Sequence, residues 1–140
     1  MIIKKIKFLI FLIILPNYLF AKSEYFQDGI ELFNQNKFDD AKFKFEQDIV
    51  YNPKSELSYL YLSKIFNKQD RKNLEEQNLN TVVLLNPKNE EAIYYLAKLM
   101  LIKSDYKKSK ELNTRLKLMC NNFCDKSDKL KIEIENLLNK

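Results

Sequence analysis

One short segment of the chain occurs twice at a fixed distance. The sequence Asn-Pro-Lys-Ser-Glu at 52–56 returns as Asn-Pro-Lys-Asn-Glu at 86–90, so that Pro53 and Pro87 are 34 residues apart. A period of about 34 residues is typical of stacked helical hairpins, and the proline ends the second helix of each pair. The sequence therefore predicts an all-α chain built from repeated hairpins.

The first 21 residues have the pattern of a secretory signal peptide. Three lysines among the first seven residues precede an unbroken apolar run over 8–15. This order predicts cleavage after Ala21. The run is short for a membrane span, but Leu19 is larger than the residue usual two positions before a cut, so an uncleaved membrane anchor stays as the alternative. In both cases we expect residues 22–140 to lie outside the cytoplasm, in the periplasm or secreted.

Without this segment the charge of the chain is nearly balanced. The whole chain has 24 basic and 19 acidic residues. The first 21 residues hold three of the lysines and no acid, which leaves 21 basic against 19 acidic residues, a net charge near +2. Since the chain has no basic block and no nucleic-acid-binding motif, we do not expect nucleic acid as a partner. The 119 residues that remain are enough for one domain.

The chain contains no histidine and only one glycine. The lack of histidine excludes a Ser-His-Asp triad, c-type haem attachment and every zinc site that needs imidazole. A single glycine cannot form a glycine-rich phosphate loop, and no pair of carboxylates stands out as catalytic. We therefore expect a protein that is not an enzyme and that needs neither cofactor nor metal.

The units resemble those of tetratricopeptide-repeat (TPR) proteins, in which aromatic, small and proline residues recur at fixed places. In the first unit the matching residues are Tyr25, Gly29, Leu32, Ala41, Phe45 and Pro53. Gly29 falls where the two helices of a hairpin cross most closely, a place at which a larger side chain would push them apart. The resemblance covers about residues 22–122. The alternative is an unrelated helical bundle in which the repeated Asn-Pro-Lys is a coincidence.

The second and third units match less well. The second unit has Tyr59, Leu62, Ser63, Phe66, Leu79 and Pro87, and the third has Ile93, Leu96, Ala97, Met100, Ser109 and Asn113. Glu75 stands where the second unit should have alanine, and Asn121 stands where the third should have proline. Because a buried carboxylate is costly, we expect this helix to rotate or shift so that Leu74 turns inward instead of Glu75.

The resemblance implies a short right-handed solenoid of antiparallel hairpins, with repeats at about 22–55, 56–89 and 90–122. After them Leu130, Ile134, Leu137 and Leu138 recur with helical spacing. This pattern predicts an amphipathic helix at about 127–139 that covers the end of the last hairpin, giving seven helices. Ser55 and Asn89 are expected to cap the helices that follow the two proline turns.

In TPR proteins the first helix of each hairpin lines a concave groove that holds an extended peptide or a partner helix. The resemblance places Phe26, Ile30, Phe33 and Asn34 of the first unit in this groove, Leu60, Tyr61, Lys64 and Lys68 of the second, and Tyr94, Tyr95, Lys98 and Leu101 of the third. Tyr61 and Tyr95, like Lys64 and Lys98, repeat the 34-residue step, so we expect them to form parallel rows. The alternative for each aromatic residue is core packing.

These residues predict a ligand that is a largely apolar peptide or helix with acidic groups, because tyrosine offers contact area and lysine can meet a carboxylate. The lysine and asparagine clamp of chaperone-binding TPR proteins would begin at Phe26 and Ile30, so that activity is not expected. The chain would act as an adaptor or assembly factor for another protein of the cell envelope. The alternative is a structural subunit of a larger envelope complex, and contact with a membrane is expected only through an uncleaved signal segment.

Cys120 and Cys124 are the only cysteines, and their spacing is Cys-x3-Cys. In an exported chain such a pair favours a structural disulfide, worth at most ~2 kcal/mol for so short a loop. Free thiols and a thiol-exchange function are the alternatives, although the Cys-x-x-Cys spacing of redox proteins is absent.

Overall fold

The computed structural model of the chain describes residues 23–138, so the proposed signal peptide lies outside the described residues. These residues form seven α-helices and no strand: α1 (Glu24–Asn34), α2 (Phe38–Tyr51), α3 (Glu56–Lys68), α4 (Lys72–Leu85), α5 (Glu90–Ile102), α6 (Tyr106–Met119) and α7 (Cys124–Leu138). The predicted all-α architecture and its seven helices are confirmed. The last helix begins at Cys124, earlier than the expected 127. No helix within the described range combines the length and apolar character that crossing a bilayer requires.

The backbone itself shows the 34-residue repeat. The turn inside each hairpin contains one residue with positive φ, and these residues are Asn36 (60°), Asp70 (52°) and Ser104 (62°). A left-handed residue at the end of a helix reverses the chain within two or three positions. The three hairpins α1/α2, α3/α4 and α5/α6 are therefore closed by equivalent turns.

The helices of the first hairpin approach each other most closely at Gly29. A Cβ atom added there would lie 2.7 Å from Cε1 of Phe45, a fully buried ring on α2. Phe45 cannot move away easily, because it also stacks on Tyr61 of α3 at 5.0 Å between ring centroids. The residues at the equivalent positions of the second hairpin are Ser63 and Leu79, both buried.

Two glutamates hold the turns at the ends of the repeats. Glu56, at the start of α3, accepts hydrogen bonds from the side-chain amides of Asn86 (3.0 Å) and Asn89 (2.5 Å). Glu90 occupies the equivalent place at the start of α5. It accepts the backbone N–H groups of residues 121, 122 and 123 at 2.8–2.9 Å. The turn at Asn121 is therefore held by a carboxylate where a proline was expected.

The two predicted helix caps have different outcomes. Asn89 caps α5, since its side-chain oxygen accepts the N–H of Ala92 at 2.8 Å. Ser55 precedes α3 but makes no capping hydrogen bond. Its hydroxyl donates instead to the buried carboxylate of Asp48 at 2.5 Å. A buried carboxylate needs several donors, and this hydroxyl is one of those that Asp48 receives.

Asp48 joins three chain segments at one end of the first hairpin. Besides Ser55, its carboxylate accepts the hydroxyls of Ser23 and Ser58. Ser23 precedes α1, Asp48 belongs to α2, and Ser58 lies in the first turn of α3. The start of the described chain is therefore fixed against the turn between the first two hairpins.

Helix α7 covers the third hairpin with only part of its apolar side. Leu130 and Ile134 are buried in the core shared by the second and third hairpins. Leu137 and Leu138 remain exposed, so the expectation that all four residues cover the hairpin is wrong for these two.

We predict that Gly29→Ala lowers the free energy of unfolding by ~1–2 kcal/mol. Overpacking a core costs about 1–3 kcal/mol, which exceeds the gain of about 1 kcal/mol from replacing glycine by alanine in a helix. In a Phe45→Leu background the same change should be neutral or stabilising. Urea unfolding followed by circular dichroism measures both effects as a double-mutant cycle. Equal destabilisation in the two backgrounds would show that Phe45 does not set the crossing.

A candidate partner-binding groove

A cavity of about 280 Å³ opens between α1, α3 and α5, the first helices of the three hairpins. We call it the inner groove, and it is lined by Phe33 of α1, Ser63, Lys64, Asn67 and Lys68 of α3, Glu75 of α4, and Glu91 and Tyr95 of α5. All but one of these residues lie on α1, α3 and α5. The groove therefore occupies the surface on which the resemblance places ligand binding.

Glu75 forms the floor of the inner groove. Its side chain is buried, with the residue only 4% exposed, whereas Leu74 is half-buried. The expected inward turn of Leu74 in place of Glu75 is therefore wrong. The physical reason is the rotation of α4, because Leu79 and Val82 are fully buried and would leave the core if the helix turned. These two side chains keep α4 in register and carry Glu75 inward.

The Glu75 carboxylate is only partly satisfied. The side-chain amide of Asn67 donates to its Oε1 at 3.0 Å. Among residues 23–138 no side-chain or backbone donor is hydrogen-bonded to the other carboxylate oxygen, and Glu75 lines the groove. Burial raises the pKa of Glu75 above its ordinary value, and the hydrogen bond from Asn67 opposes that effect. A hydrogen-bond donor from a ligand would find an accessible acceptor here.

The rim of the groove carries charges of both signs. Lys64 forms an ion pair with Glu91, with 2.9 Å between Nζ and Oε1. Lys68 makes no ion pair within the described part of the chain, and its Nζ lies 5.1 Å from the ring centroid of Phe38. Burial, and then the charge of Glu91, raise the pKa of the half-buried Tyr95. The neutral hydroxyl of Tyr95 can therefore both donate and accept a hydrogen bond at neutral pH.

The structure brings four of the predicted groove residues together. Phe33, Lys64, Lys68 and Tyr95 all line the inner groove. Asn34, at the end of α1, is exposed outside it. The apolar wall expected from the sequence is thus formed by Phe33 and Tyr95.

Some of the other residues predicted to line the groove belong to the core instead, so their placement in the groove is wrong. Phe26, Leu60 and Leu101 are buried, so a partner cannot reach them. Ile30 and Tyr61 are half-buried, pack against the core and do not line the inner groove. These side chains lie on the sides of the first helices that contact neighbouring helices, where burial of apolar surface stabilises the fold.

Tyr94 and Lys98 face the end of the solenoid. The ring centroids of Tyr94 and Phe123 lie 5.6 Å apart. The Nζ atoms of Lys98 and Lys126 lie 6.0 Å and 5.6 Å from the centroid of the Tyr94 ring. Lys64 and Lys98 therefore sit in different surroundings despite their 34-residue spacing. Lys98 makes no ion pair with any residue from 23 to 138, and it lies three residues after the groove residue Tyr95 on α5.

Sequence reasoning did not place Ser63, Asn67, Glu75 and Glu91 in the groove. One signal for two of them was present, because Asn67 lies one turn beyond Lys64 and Glu91 lies one turn before Tyr95 on the same helical faces. Nothing in the sequence pattern indicated that Glu75 would point inward. Between residues 23 and 138, no group of three or more histidine, cysteine or acidic side chains is arranged to hold a metal ion.

Cys120 and Cys124 lie at disulfide-bonding distance, with their Cα atoms 5.3 Å apart. The bond connects the end of α6 to the first residue of α7. Together with the hydrogen bonds from residues 121–123 to Glu90, it holds the turn between these helices. The pair lies at the end of the solenoid and takes no part in lining the inner groove.

The comparison with solved structures identifies the architecture. The first TPR domain of Spaghetti (RPAP3), bound to the HSP90 peptide SRMEEVD, superposes with a TM-score of 0.74 and 16% identity, over 83% of this chain and 91% of that one. The fold is that of a TPR domain. No family model and no curated protein matches the sequence.

Two further TPR structures are similar to a comparable degree. The TPR2B domain of yeast Sti1 in complex with pHsp70 gives a TM-score of 0.75 at 14% identity, covering 81% of this chain and 95% of that one. The Yersinia enterocolitica type III secretion chaperone SycD, with a peptide of the translocator YopD, gives 0.74 at 14% identity, covering 89% and 100%. At these identities the likeness concerns the TPR fold alone.

We predict that Glu75→Gln makes the protein more stable at neutral pH. Because burial raises the pKa of Glu75 in the folded state, the carboxyl stabilises the fold most when protonated and less as pH rises above the ordinary value of 4.5. Glutamine keeps the acceptor for Asn67 and carries no charge. The stability difference should therefore grow as pH rises above 4.5 and shrink below it. Urea unfolding across this pH range measures it.

The matched control is Glu46→Gln, at an exposed position of α2. It removes the same charge without changing a buried site. If Glu75→Gln and Glu46→Gln gave the same pH profile, the buried position of Glu75 would be contradicted.

Proposed function

We propose that this protein is an exported, non-enzymatic adaptor whose inner groove binds a peptide or short helix of another envelope protein. The observation that carries the proposal is the groove itself, with an apolar wall (Phe33, Tyr95), a floor acceptor (Glu75) and lysines on its rim. Such a mixture suits an extended or helical segment, since apolar contacts supply affinity and a few polar groups fix orientation.

The charges refine the kind of ligand. Lys64 is already neutralised by Glu91, whereas Lys68 and Lys98 have no ion-pair partner in the described range. Acidic groups of the ligand would therefore meet Lys68 and Lys98 rather than Lys64. A hydrogen-bond donor of the ligand would meet Glu75.

TPR domains of similar fold support this use of the groove. The structures of Spaghetti (RPAP3) and of SycD contain an HSP90 peptide and a YopD peptide, respectively. The chaperone-type carboxylate clamp is not part of the proposal, since Phe26 is buried and Ile30 carries no polar group. Export rests on the basic and apolar pattern of residues 1–21.

We predict that Lys68→Glu with Lys98→Glu abolishes capture of the partner. A photo-crosslinking phenylalanine analogue in place of Phe33 should capture a defined envelope protein in living cells, and the double charge reversal should reduce that product at least about tenfold. Both lysines contribute only weak contacts to aromatic rings, about 0.5–1 kcal/mol each. The thermal midpoint should therefore change little.

Two controls accompany this experiment. Lys107→Glu with Lys129→Glu makes the same charge change at exposed residues of α6 and α7 and should leave the product intact. The analogue in place of Gln77, on the outer face of α4, should give no such product. If the partner were captured only by the analogue at position 77, the binding surface would lie outside the groove.

The second candidate function is that of a structural subunit, favoured by a cavity of about 220 Å³ between α6 and α7. The residues lining this cavity include Leu118, Ile134 and Asn113, and it lies at the open end of the solenoid. A further helix of another subunit could pack there. Salt-resistant co-purification in fixed stoichiometry, lost on substitution of α7 but not of Lys68 and Lys98, would favour this function over the adaptor.

A further inference from the structure

Three exposed aliphatic residues recur at the 34-residue step on the outer side of the solenoid. Val50 is 76% exposed, Leu84 80% and Leu118 85%. Each lies near the carboxyl end of the second helix of its hairpin, on α2, α4 and α6. Because equivalent positions of successive repeats fall at equivalent places, the three side chains follow one another along the outer edge of the solenoid.

The aliphatic character is confined to the ends of these helices. One turn earlier on the same faces the exposed residues are Glu46, Asn80 and Thr114, and two turns earlier they are Phe43, Gln77 and Glu111. Apart from Phe43, these outer positions are polar. Exposing large aliphatic side chains at the same place in each of three repeats serves no packing purpose within the chain.

Lysines lie beside the row. Lys54 and Lys88 occupy the two Asn-Pro-Lys turns, four residues after Val50 and Leu84, and both are exposed. Neither forms an ion pair with any of residues 23–138. Lys117, next to Leu118, is paired with Asp128 at 2.8 Å.

The acids nearest the turns are mostly engaged. Glu56 accepts hydrogen bonds from Asn86 and Asn89, and Glu90 accepts them from the backbone of 121–123. Glu24 remains exposed at the start of α1. Glu46, one turn before Val50, is also exposed, whereas Lys54 and Lys88 lie beyond Val50 and Leu84 in the turns at the edge itself.

The chain enters the domain at this same edge. Ser23 is bound to Asp48, and the ring of Tyr25 stacks on that of Tyr51 at 5.3 Å. Tyr51 directly follows Val50. Ser23, the first residue that the structure describes, thus lies near the aliphatic row.

We propose that this edge, formed by Val50, Leu84, Leu118, Lys54 and Lys88, rests on the surface of a bilayer that contains anionic phospholipids. The aliphatic side chains enter the interfacial region, and the lysines meet lipid phosphates. Attraction of this kind scales with the apolar area inserted and with nearby basic residues. The inner groove lies on the first helices of the hairpins, away from the row, so it stays open to a partner.

A bilayer fits this row better than a protein does. A stable protein interface buries about 800 Å² on each partner and centres on pockets. Three separated side chains on an outward face do not offer that area. Leu118 lines the cavity between α6 and α7, whereas Val50 and Leu84 line neither that cavity nor the inner groove. A bilayer needs no shape complementarity, and each inserted side chain contributes independently.

Tryptophan fluorescence of the full chain tests the proposal, because the natural sequence contains no tryptophan. Leu84→Trp and Leu118→Trp should each show a blue-shifted emission on addition of vesicles made from equal parts of phosphatidylcholine and phosphatidylglycerol. Vesicles with lipids brominated near the top of the acyl chain should quench both. Ile102→Trp is the matched control, since Ile102 is 57% exposed at the opposite end of a hairpin.

The proposal is overturned if Leu84→Trp neither shifts nor is quenched, or if Ile102→Trp is quenched equally. A blue shift without vesicles that grows with protein concentration would assign the row to a second copy of the chain and would also overturn it.

A second measurement compares vesicle affinities of whole chains that keep the same N-terminal segment. Leu84→Ser should weaken binding about tenfold, a change that corresponds to losing one aliphatic side chain from an apolar environment. Lys54→Glu with Lys88→Glu should weaken binding to the anionic vesicles and not to pure phosphatidylcholine. Unchanged affinities in both variants would contradict the proposal, whether or not the inner groove binds a partner.

Discussion

The close crossing of the two helices in each hairpin is the contact on which the rest of the structure depends. At Gly29 the helices touch through the ring of Phe45, and that ring in turn stacks on Tyr61 of the next hairpin. One contact thus fixes both the spacing inside a hairpin and the position of its neighbour. Since the hairpins are closed by equivalent turns at Asn36, Asp70 and Ser104, residues 34 positions apart fall at equivalent places on successive repeats.

The position that the repeat gives to each helix outweighs the preference of an individual side chain for water or for the core. Keeping Leu79 and Val82 buried is worth about 1.5–3 kcal/mol for each side chain. Rotating α4 to expose Glu75 would forfeit much of that, whereas a buried carboxyl can keep the hydrogen bond from Asn67 and take up a proton. The repeat therefore carries an acid into the floor of the inner groove. The same 34-residue periodicity places Val50, Leu84 and Leu118 on the outer side of the solenoid.

The helices, their turns and the tight crossing could be predicted from the 34-residue period and the single glycine. The groove could be predicted only in part, because the first helix of each hairpin is buried on two sides and its sequence does not say which apolar residues face the remaining side. Tyr61 and Tyr95 illustrate the difficulty. Tyr61 stacks on Phe45, but the residue equivalent to Phe45 in the next hairpin is Leu79. The ring of Tyr95 therefore has no such partner there, contacts Tyr94 of its own helix and lines the groove.

The central claim is that the register of α4 places the Glu75 carboxyl inside the fold at the floor of the groove. The direct measurement is a carbon-detected NMR titration of the glutamate carboxyl groups, in which the Glu75 signal is assigned by its loss in Glu75→Gln. Burial raises the pKa of this carboxyl, so the signal should titrate above the ordinary value of 4.5. A midpoint at or below 4.5 would mean that Glu75 faces solvent, and it would contradict the account.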